Sequence, residues 1–394
     1  MKLLHIVPDD KFIDDAIDFF DSIRGITNEF VCLVKDEEIA NYKFEYIKQR
    51  ERVAVRSFSN SDSLWQNRAV DMFVFHSLSE CMYGYVLSIP NDKKIFWSSW
   101  GFDIYTASWG IKPILSLDIY KPITKKCLDA LYNPSISLTT ALKRYVKYCI
   151  NYKGYRDRKI KEKQAIKKWL SYRQQVIVRI DYMSTVLPVE YDMLAKIEGF
   201  HAKYVPFQYS SRSVDYTHFQ HSTLGTYILL GNSADFSNNH LDVLKILRER
   251  SIKNIVYMPL AYGDGDCQKC IKAHIQPGDN VIIQDMFISR DSYMDVLRQC
   301  RVAIFGHIRQ QAMGNIGIAM QYGMKIYLYK ESVCYKYFKS NGFVVYSIED
   351  DLSQESIEQG MDINDIKSNV EKINYLYSFN NVLGRVQDFF SLEF

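Results

Sequence analysis

The chain has 394 residues, of which 47% are hydrophobic and 24% charged, and its formal net charge is +3. That hydrophobic share excludes a disordered chain, and a near-neutral balance gives no reason to expect a nucleic-acid partner. The length exceeds what one ordinary core organises, so two domains are expected. No apolar run is long enough to span a bilayer, and Met1–Val7 reads as a first strand, not a signal peptide. The eight cysteines are scattered, several of them inside apolar segments, which suits a reducing cytoplasm better than a disulfide framework. Cys267-Gln-Lys-Cys270 is a close pair with no second pair at zinc-site spacing, which is thin ground for a metal or redox role.

In chain order, Leu3–Val7 is a short apolar strand, and Ile13, Ile17, Phe20 and Ile23 follow at helical spacing. Phe30–Val34, Met72–Phe75 and Lys94–Trp97 are further strands. The alternation of short apolar strands with helical segments predicts an α/β domain with a largely parallel sheet. Ligands of such sheets bind beyond the carboxyl ends of the strands, where His76 and Asp103 fall. Between Lys121 and Arg173 the character changes, with 15 Lys/Arg against three acidic residues. Leu138, Leu142, Tyr145, Val146, Cys149 and Ile150 share one helical face, with Lys143, Arg144 and Lys147 beside or opposite it. A basic amphipathic helix carrying Tyr148, Tyr152, Tyr155, Trp169 and Tyr172 suits an anionic bilayer surface; the same pattern also describes a solvated face on its own domain.

The α/β rhythm resumes near Ile180, and the polar run after Pro206 predicts a connector. The second domain has strands near 226–230, 254–258, 280–284, 301–305 and 325–328, with helices between them. We place a first domain at 1–212 with a basic insert at about 121–175, a second at 213–378, and a last helix at 379–394 docking back on the first. Thr226–Leu230 ends at Gly231-Asn232-Ser233 before a helix that Ser237 or Asn238 can cap. A strand–turn–helix of this kind offers free amides and a dipole to a phosphate, or is a plain βα turn. Met258–Gly263 and Phe305–Asn315 follow neighbouring strands. Arg309 is suited to two oxygens of a diphosphate, although a lone Arg on a loop also serves as a surface charge. Gln310, Gln311 and Asn315 offer neutral donors and acceptors. Tyr262 is placed to stack on a pyrimidine or to close the core.

Phe96-Trp-Ser-Ser-Trp-Gly-Phe-Asp-Ile-Tyr105, Ile228–His240 with its Gly-Asn-Ser-x-Asp-x-Ser-Asn-x-His string, and Leu297–Cys300 followed by Arg309-Gln-Gln311 resemble glycosyltransferase family 56. Weaker echoes occur at Leu4-His5-Ile6, Phe75-His76, Met258-Pro259 and Tyr262-Gly263. The resemblance covers most of the chain except the basic insert. It implies a GT-B architecture, two Rossmann-like doubly wound domains facing across a cleft, with the nucleotide on the second. It implies metal-independent transfer, without a cofactor, of a Fuc4NAc-like deoxyamino sugar from a dTDP donor to a polyprenyl-diphosphate-linked glycan at the cytoplasmic face of the inner membrane. Amides, a helix dipole and Arg309 then take the place of a divalent cation. Such chemistry needs a general base on the first-domain side of the cleft. Asp103, beside Trp100 and after Gly101, is the expected base, with a helix N-cap as its other reading; His76 is the alternative, and His5 is expected to pack or line the cleft. A nucleotide-sugar epimerase on the same fold and a non-catalytic membrane scaffold are the competing readings.

Overall fold

The structure is a computed structural model that describes residues 1–59, 61–67, 69–106, 112–132, 148, 151–210 and 225–394. Lys143, Arg144 and Lys147, with most of the helix expected around them, lie outside the described residues, as does the connector beyond Ser210.

Two parallel sheets organise the described residues. The first joins β1 (Lys2–Val7), β2 (Thr27–Val34), β3 (Val53–Ser57), β4 (Met72–His76), β5 (Lys94–Ser98), β6 (Tyr182–Ser184) and β7 (Lys203–Tyr204) in the order β3-β2-β1-β4-β5-β6-β7. The second joins β8 (Tyr227–Leu230), β9 (Val256–Pro259), β10 (Val281–Gln284), β11 (Cys300–Phe305), β12 (Lys325–Leu328) and β13 (Tyr346–Ser347) in the order β10-β9-β8-β11-β12-β13. Both orders reverse beside their first strand, at β1/β4 and β8/β11. Those are the switch points beyond which a crevice opens in doubly wound sheets.

The strands read as near-continuous apolar runs because both faces are covered. On β1, Leu3 and Val7 enter one core with Phe19, Phe20 and Phe30, while Leu4 and Ile6 enter another with Phe73, Phe75 and Trp97. On β8 and β11 the same alternation sends Leu229, Ala303 and Phe305 one way and Ile228, Leu230, Val302 and Ile304 the other.

The chain crosses between the domains more often than a simple division at residue 212 expects. The helix Pro122–Tyr132, at the start of the insert, caps on the second domain: Asp242 accepts from Ile123 N and Thr124 N at 2.8 and 2.9 Å. Cys127 of that helix is joined by a disulfide to Cys270, so Cys270 pairs with a residue 143 positions away and not with Cys267. The other described cysteines, Cys32, Cys81, Cys267, Cys300 and Cys334, are free. Phe379, Val382, Val386 and Phe390 of the last helix, Phe379–Glu393, pack in the first-domain core. The helix Tyr152–Arg179 buries Val176 and Ile177, and Trp169 meets Tyr83 at 5.8 Å. Trp169 is therefore half-buried against its own domain. Most residues from Tyr152 to Lys168 are exposed, and their Lys and Arg side chains run all round the helix instead of along one face.

Glu190, on the short helix Pro188–Leu194, is fully buried at the boundary with the second domain, where neighbouring Leu187 enters the second-domain core. Its Oε2 accepts from Leu187 N at 2.8 Å, while Oε1 has no hydrogen-bond partner. Burial pushes its pKa from 4.5 up to about 7. A carboxyl raised in this way contributes stability that is full below pH 4.5 and is lost as pH rises through about 7. Glu190→Gln keeps the acceptor for Leu187 and removes the charge. Thermal unfolding should therefore show a higher Tm for the variant at pH 8, corresponding to up to about 3 kcal/mol, and almost no difference at pH 4. Equal Tm values at both pH values would mean that folding does not raise the pKa of Glu190.

Candidate active site

The carboxyl ends of the two sheets face each other. Gly101, after β5, has φ +90, and a Cβ on it would lie 2.7 Å from Gln310 Oε1, after β11. Lys11, after β1, holds its Nζ 5.4 Å from the ring centroid of Tyr262, after β9. The loops that carry candidate chemistry on each domain thus meet across one cleft.

On the second domain, the loop after β8 is built by its own side chains. Gly231 has φ +71, and a Cβ there would fall 2.4 Å from His240 Nε2, so only glycine lets the buried imidazole close under the turn. Asp235 accepts from Ser237 N at 2.8 Å, and Asn238 Nδ2 donates to Ser233 O at 3.0 Å. Asn239 sits in the left-handed region with φ 50 and binds Gly306 O and Ile119 O. Neither Ser237 nor Asn238 caps the next helix. It begins at His240 without a side-chain cap, and Asp235 caps the preceding turn Phe236–Asn238 instead. Residues 237–241 are buried, so this helix start is closed off rather than open to a phosphate.

The open helix start belongs to Met313–Gln321, after β11. Gly314 is exposed, with nothing within 4 Å of where a Cβ would stand, and Ala312 before it is left-handed with φ 60. Arg309 stands beside this start with its side chain 12% exposed. Its Nη1 donates to Gln310 O at 3.0 Å, its Nη2 lies 3.4 Å from Asp235 Oδ2, and its Nε is buried without a partner. Gln311 ties the loops together: Ser237 Oγ donates to its Oε1 at 2.6 Å, and its Nε2 donates to Asn232 Oδ1 at 3.4 Å. Asn232, Ser233, Arg309 and Gln311 are thereby brought together. Gln310 faces the first domain, and Asn315 Oδ1 accepts from Tyr293 Oη at 3.1 Å. Tyr262 is 64% exposed and does not close a core.

On the first domain, Asp103 has no acceptor site to spare. Its Oδ2 accepts from Leu78 N at 3.0 Å and Trp97 Nε1 at 2.8 Å; its Oδ1 accepts from Ser99 Oγ at 2.8 Å and Trp100 N at 3.1 Å. Two lone pairs on each oxygen make four bonds the full complement. Burial raises its pKa, opposed by those same donors. The carboxylate clamps the loops after β4 and β5, so a role as base is corrected to one of positioning.

His76 is tied in the same way. Asn28 Nδ2 donates to Asp21 Oδ1 at 3.1 Å, which leaves Asn28 Oδ1 to accept from His5 Nε2 at 3.1 Å. Burial drives the pKa of His5 to about 3 and that of His76 well below the usual imidazole value, so both rings are neutral. Neutral His5 then accepts at Nδ1 from His76 Nε2, 2.9 Å away, and His76 accepts at Nδ1 from the Tyr209 hydroxyl. Neither nitrogen of His76 is left for an acceptor hydroxyl. His5 packs between Phe20 and Phe30, at 4.5 and 4.3 Å.

A carboxylate with acceptor capacity to spare lies at the same edge of the sheet and was not singled out from the sequence. Asp10 follows β1, is half-buried, and accepts from Phe12 N at 3.1 Å. Burial raises its pKa above the ordinary value. Its neighbour Asp9 accepts from Glu45 N, Tyr46 N and Ile47 N and serves to hold that loop. The signal that points to Asp10 is its place just beyond the first strand of the sheet, at the switch point.

The sequence pattern of the 4-alpha-L-fucosyltransferase glycosyl transferase group 56 matches residues 194–385. Among solved structures, Anabaena HepE in complex with UDP superposes with a TM-score of 0.59 at 9% identity over 100% of both chains. A glycosyltransferase from Rickettsia africae gives 0.54 at 10%, covering 99% of this chain and 98% of that one. The N-terminal domain of Candida albicans trehalose-6-phosphate phosphatase gives 0.56 at 8%, covering 100% and 97%. Identities this low speak for architecture alone, and the architecture is GT-B. The protein is a glycosyltransferase of GT-B fold, and its residues 194–385, just under half of the chain, match the pattern of glycosyltransferase group 56.

Proposed function

We propose that the protein transfers a deoxyamino sugar from a dTDP-linked donor to a polyprenyl-diphosphate-linked glycan on the cytoplasmic leaflet of the bacterial inner membrane. The observation that carries this reading is the state of Arg309. A guanidinium that is nearly buried, with Nε unpartnered and one carboxylate at 3.4 Å, keeps donor capacity that an arriving anion takes up. The amides at the open start of Met313–Gln321 add their dipole, so a diphosphate meets a fixed cation and free N–H groups together. Tyr262 stacks on the pyrimidine, and Asn232, Ser233 and Gln311 supply hydrogen bonds.

In the transfer step the acceptor hydroxyl oxygen forms a bond to the anomeric carbon. The bond from that carbon to the β-phosphate oxygen breaks, and its electron pair leaves on the diphosphate. Asp10 takes the hydroxyl proton. Arg309 and the helix amides stabilise the charge that grows on the leaving oxygen, so no step calls for a divalent ion. The exposed length of Tyr152–Arg179 carries many Lys and Arg against only Asp157 and Glu162. A basic rod of this kind holds the cleft near anionic headgroups by charge and not by insertion.

The reading makes three measurable claims. In thermal shift, dTDP-sugar should raise Tm equally with magnesium or with EDTA, and Arg309→Ala should weaken donor binding by roughly 10- to 100-fold, the worth of a charge-assisted contact. Asp10→Asn should keep donor affinity and lose at least ~100-fold in transfer. Because the base must be ionised, wild-type kcat/KM should fall as pH drops through the raised pKa of Asp10, and the variant should lack that limb. Full activity of Asp10→Asn, or a strict magnesium requirement for donor binding, would overturn the assignment. Vesicles rich in phosphatidylglycerol should bind the protein in a salt-reversible way, and joint Lys161, Lys163, Lys167 and Lys168→Gln should abolish that binding; retention by the variant would remove the helix from the membrane contact.

A further inference from the structure

Three aromatic rings stand at the carboxyl ends of β1 and β5 with no part in the donor site. Phe12 and Phe102 are each 41% exposed, although both are large apolar side chains that folding normally covers. They flank half-buried Trp100: Phe12 meets it edge-on at 5.8 Å, and Phe102 at 6.5 Å. Tyr209 supports Trp100 from a third side at 5.5 Å and is itself fixed by the His76 chain. The rings thus have a rigid backing, and their exposure is not that of a loose loop.

Two further features fix what such a surface would take. Asp10 Oδ1 accepts from Phe12 N at 3.1 Å, so the free carboxylate and one ring share a single turn. Gly101, between Trp100 and Phe102, is pressed on Gln310 of the donor domain, so the other two rings lie beside the loop that carries Arg309. Lys11 holds its Nζ over both Phe12 and Tyr262, at 5.3 and 5.4 Å, and has no carboxylate within 4 Å among the described residues. An aromatic face carries negative π density, and the C–H bonds on one face of a pyranose ring are polarised positive. A sugar ring is flat, apolar on that face and ringed by hydroxyls, which suits a platform with a carboxylate at its rim.

We propose that Phe12, Trp100 and Phe102 form the acceptor subsite, on which a pyranose ring lies with one hydroxyl directed at Asp10, and that Lys11 holds a phosphate carried by the same acceptor. This rests on the reading of the cleft as a sugar-transfer site. It goes further in saying how that acceptor is held, the sugar ring by stacking on three aromatic rings and a phosphate by Lys11.

The test reads binding directly and so does not depend on transfer. Saturation-transfer NMR is run on the full-length protein loaded with dTDP, using N,N′-diacetylchitobiose free and as its farnesyl diphosphate conjugate. Saturation should concentrate on the C–H protons of one ring face, and should fall at least ~10-fold in Phe102→Ala and in Phe12→Ala, while dTDP affinity by thermal shift is unchanged. Lys11→Gln should weaken the conjugate and leave the free disaccharide as it was. No saturation of either sugar in the wild-type protein, or equal saturation in wild type and both ring variants, would overturn the platform. Equal loss of both sugars in Lys11→Gln would overturn the phosphate contact. If stacking is observed but no transfer follows with any dTDP-sugar, the subsite stands and the donor reading falls.

Discussion

The cleft depends on one cation held short of partners. The Arg309 guanidinium is mostly removed from water, bonds its own neighbour's carbonyl, and reaches Asp235 only at 3.4 Å. A buried charge so poorly compensated is a destabilising element in isolation, and the surrounding loops have to hold it in place. They do so by close packing. Gln311 laces the turn after β8 to the turn after β11, and Gly101 lets the first domain press on Gln310. An anion that completes the coordination of Arg309 then also completes the loops, so donor binding and local order become one event.

Much of this architecture was legible in the sequence, and the reasons differ from place to place. The strands β1, β4, β5, β8 and β11 read correctly because both of their faces are buried, which leaves short unbroken apolar runs bounded by polar turns. Arg309, Gln311 and Asn232 were legible because loops after parallel strands can only gather at one edge of the sheet. Asp103 was not legible as a clamp. A carboxylate after a Trp-Gly corner looks the same whether its lone pairs face a cleft or four donors, and the donor Leu78 N comes from 25 residues away, a distance that no local pattern encodes. Asp10 was passed over for the converse reason. It sits beside Asp9 in a plainly polar loop, and only the structure shows that Asp9 is consumed by three backbone amides while Asp10 is not.

The string from Gly231 to His240 shows how a recognisable motif divides its labour. Gly231 makes room for the His240 ring, Asn238 pins Ser233, and Asn239 binds a carbonyl from β11's loop and another from residue 119. Few of these side chains are free to touch a ligand. Their joint effect is to fix where Asn232, Ser233 and Asp235 stand relative to Arg309, which accounts for a motif rich in small polar residues that is nonetheless largely buried. The first domain uses the same device. Directed hydrogen bonds from Tyr209 through His76 and His5 to Asn28 keep two neutral imidazoles inside an apolar core, and each donor needs the next acceptor for its own tautomer.

The crossings between domains bear on how such a cleft closes. Residues 119–124 are fastened to the start of the helix His240–Glu249 through Asn239 and Asp242, Leu187 enters the second-domain core, and the helix Phe379–Glu393 returns to the first. Sliding one sheet past the other would break buried hydrogen bonds at Asp242 and open the apolar contacts of Leu187 together, at a cost of several kcal/mol. Rotation about these fastenings breaks neither set. The loops after β1 and β9 meet through the Lys11–Tyr262 contact, between an ammonium and an exposed ring, which is the weakest kind of tie in the cleft and the easiest to release. The side of the cleft that carries Asp10, Phe12 and Tyr262 is therefore joined by a weaker contact than the buried fastenings at Asp242 and Leu187.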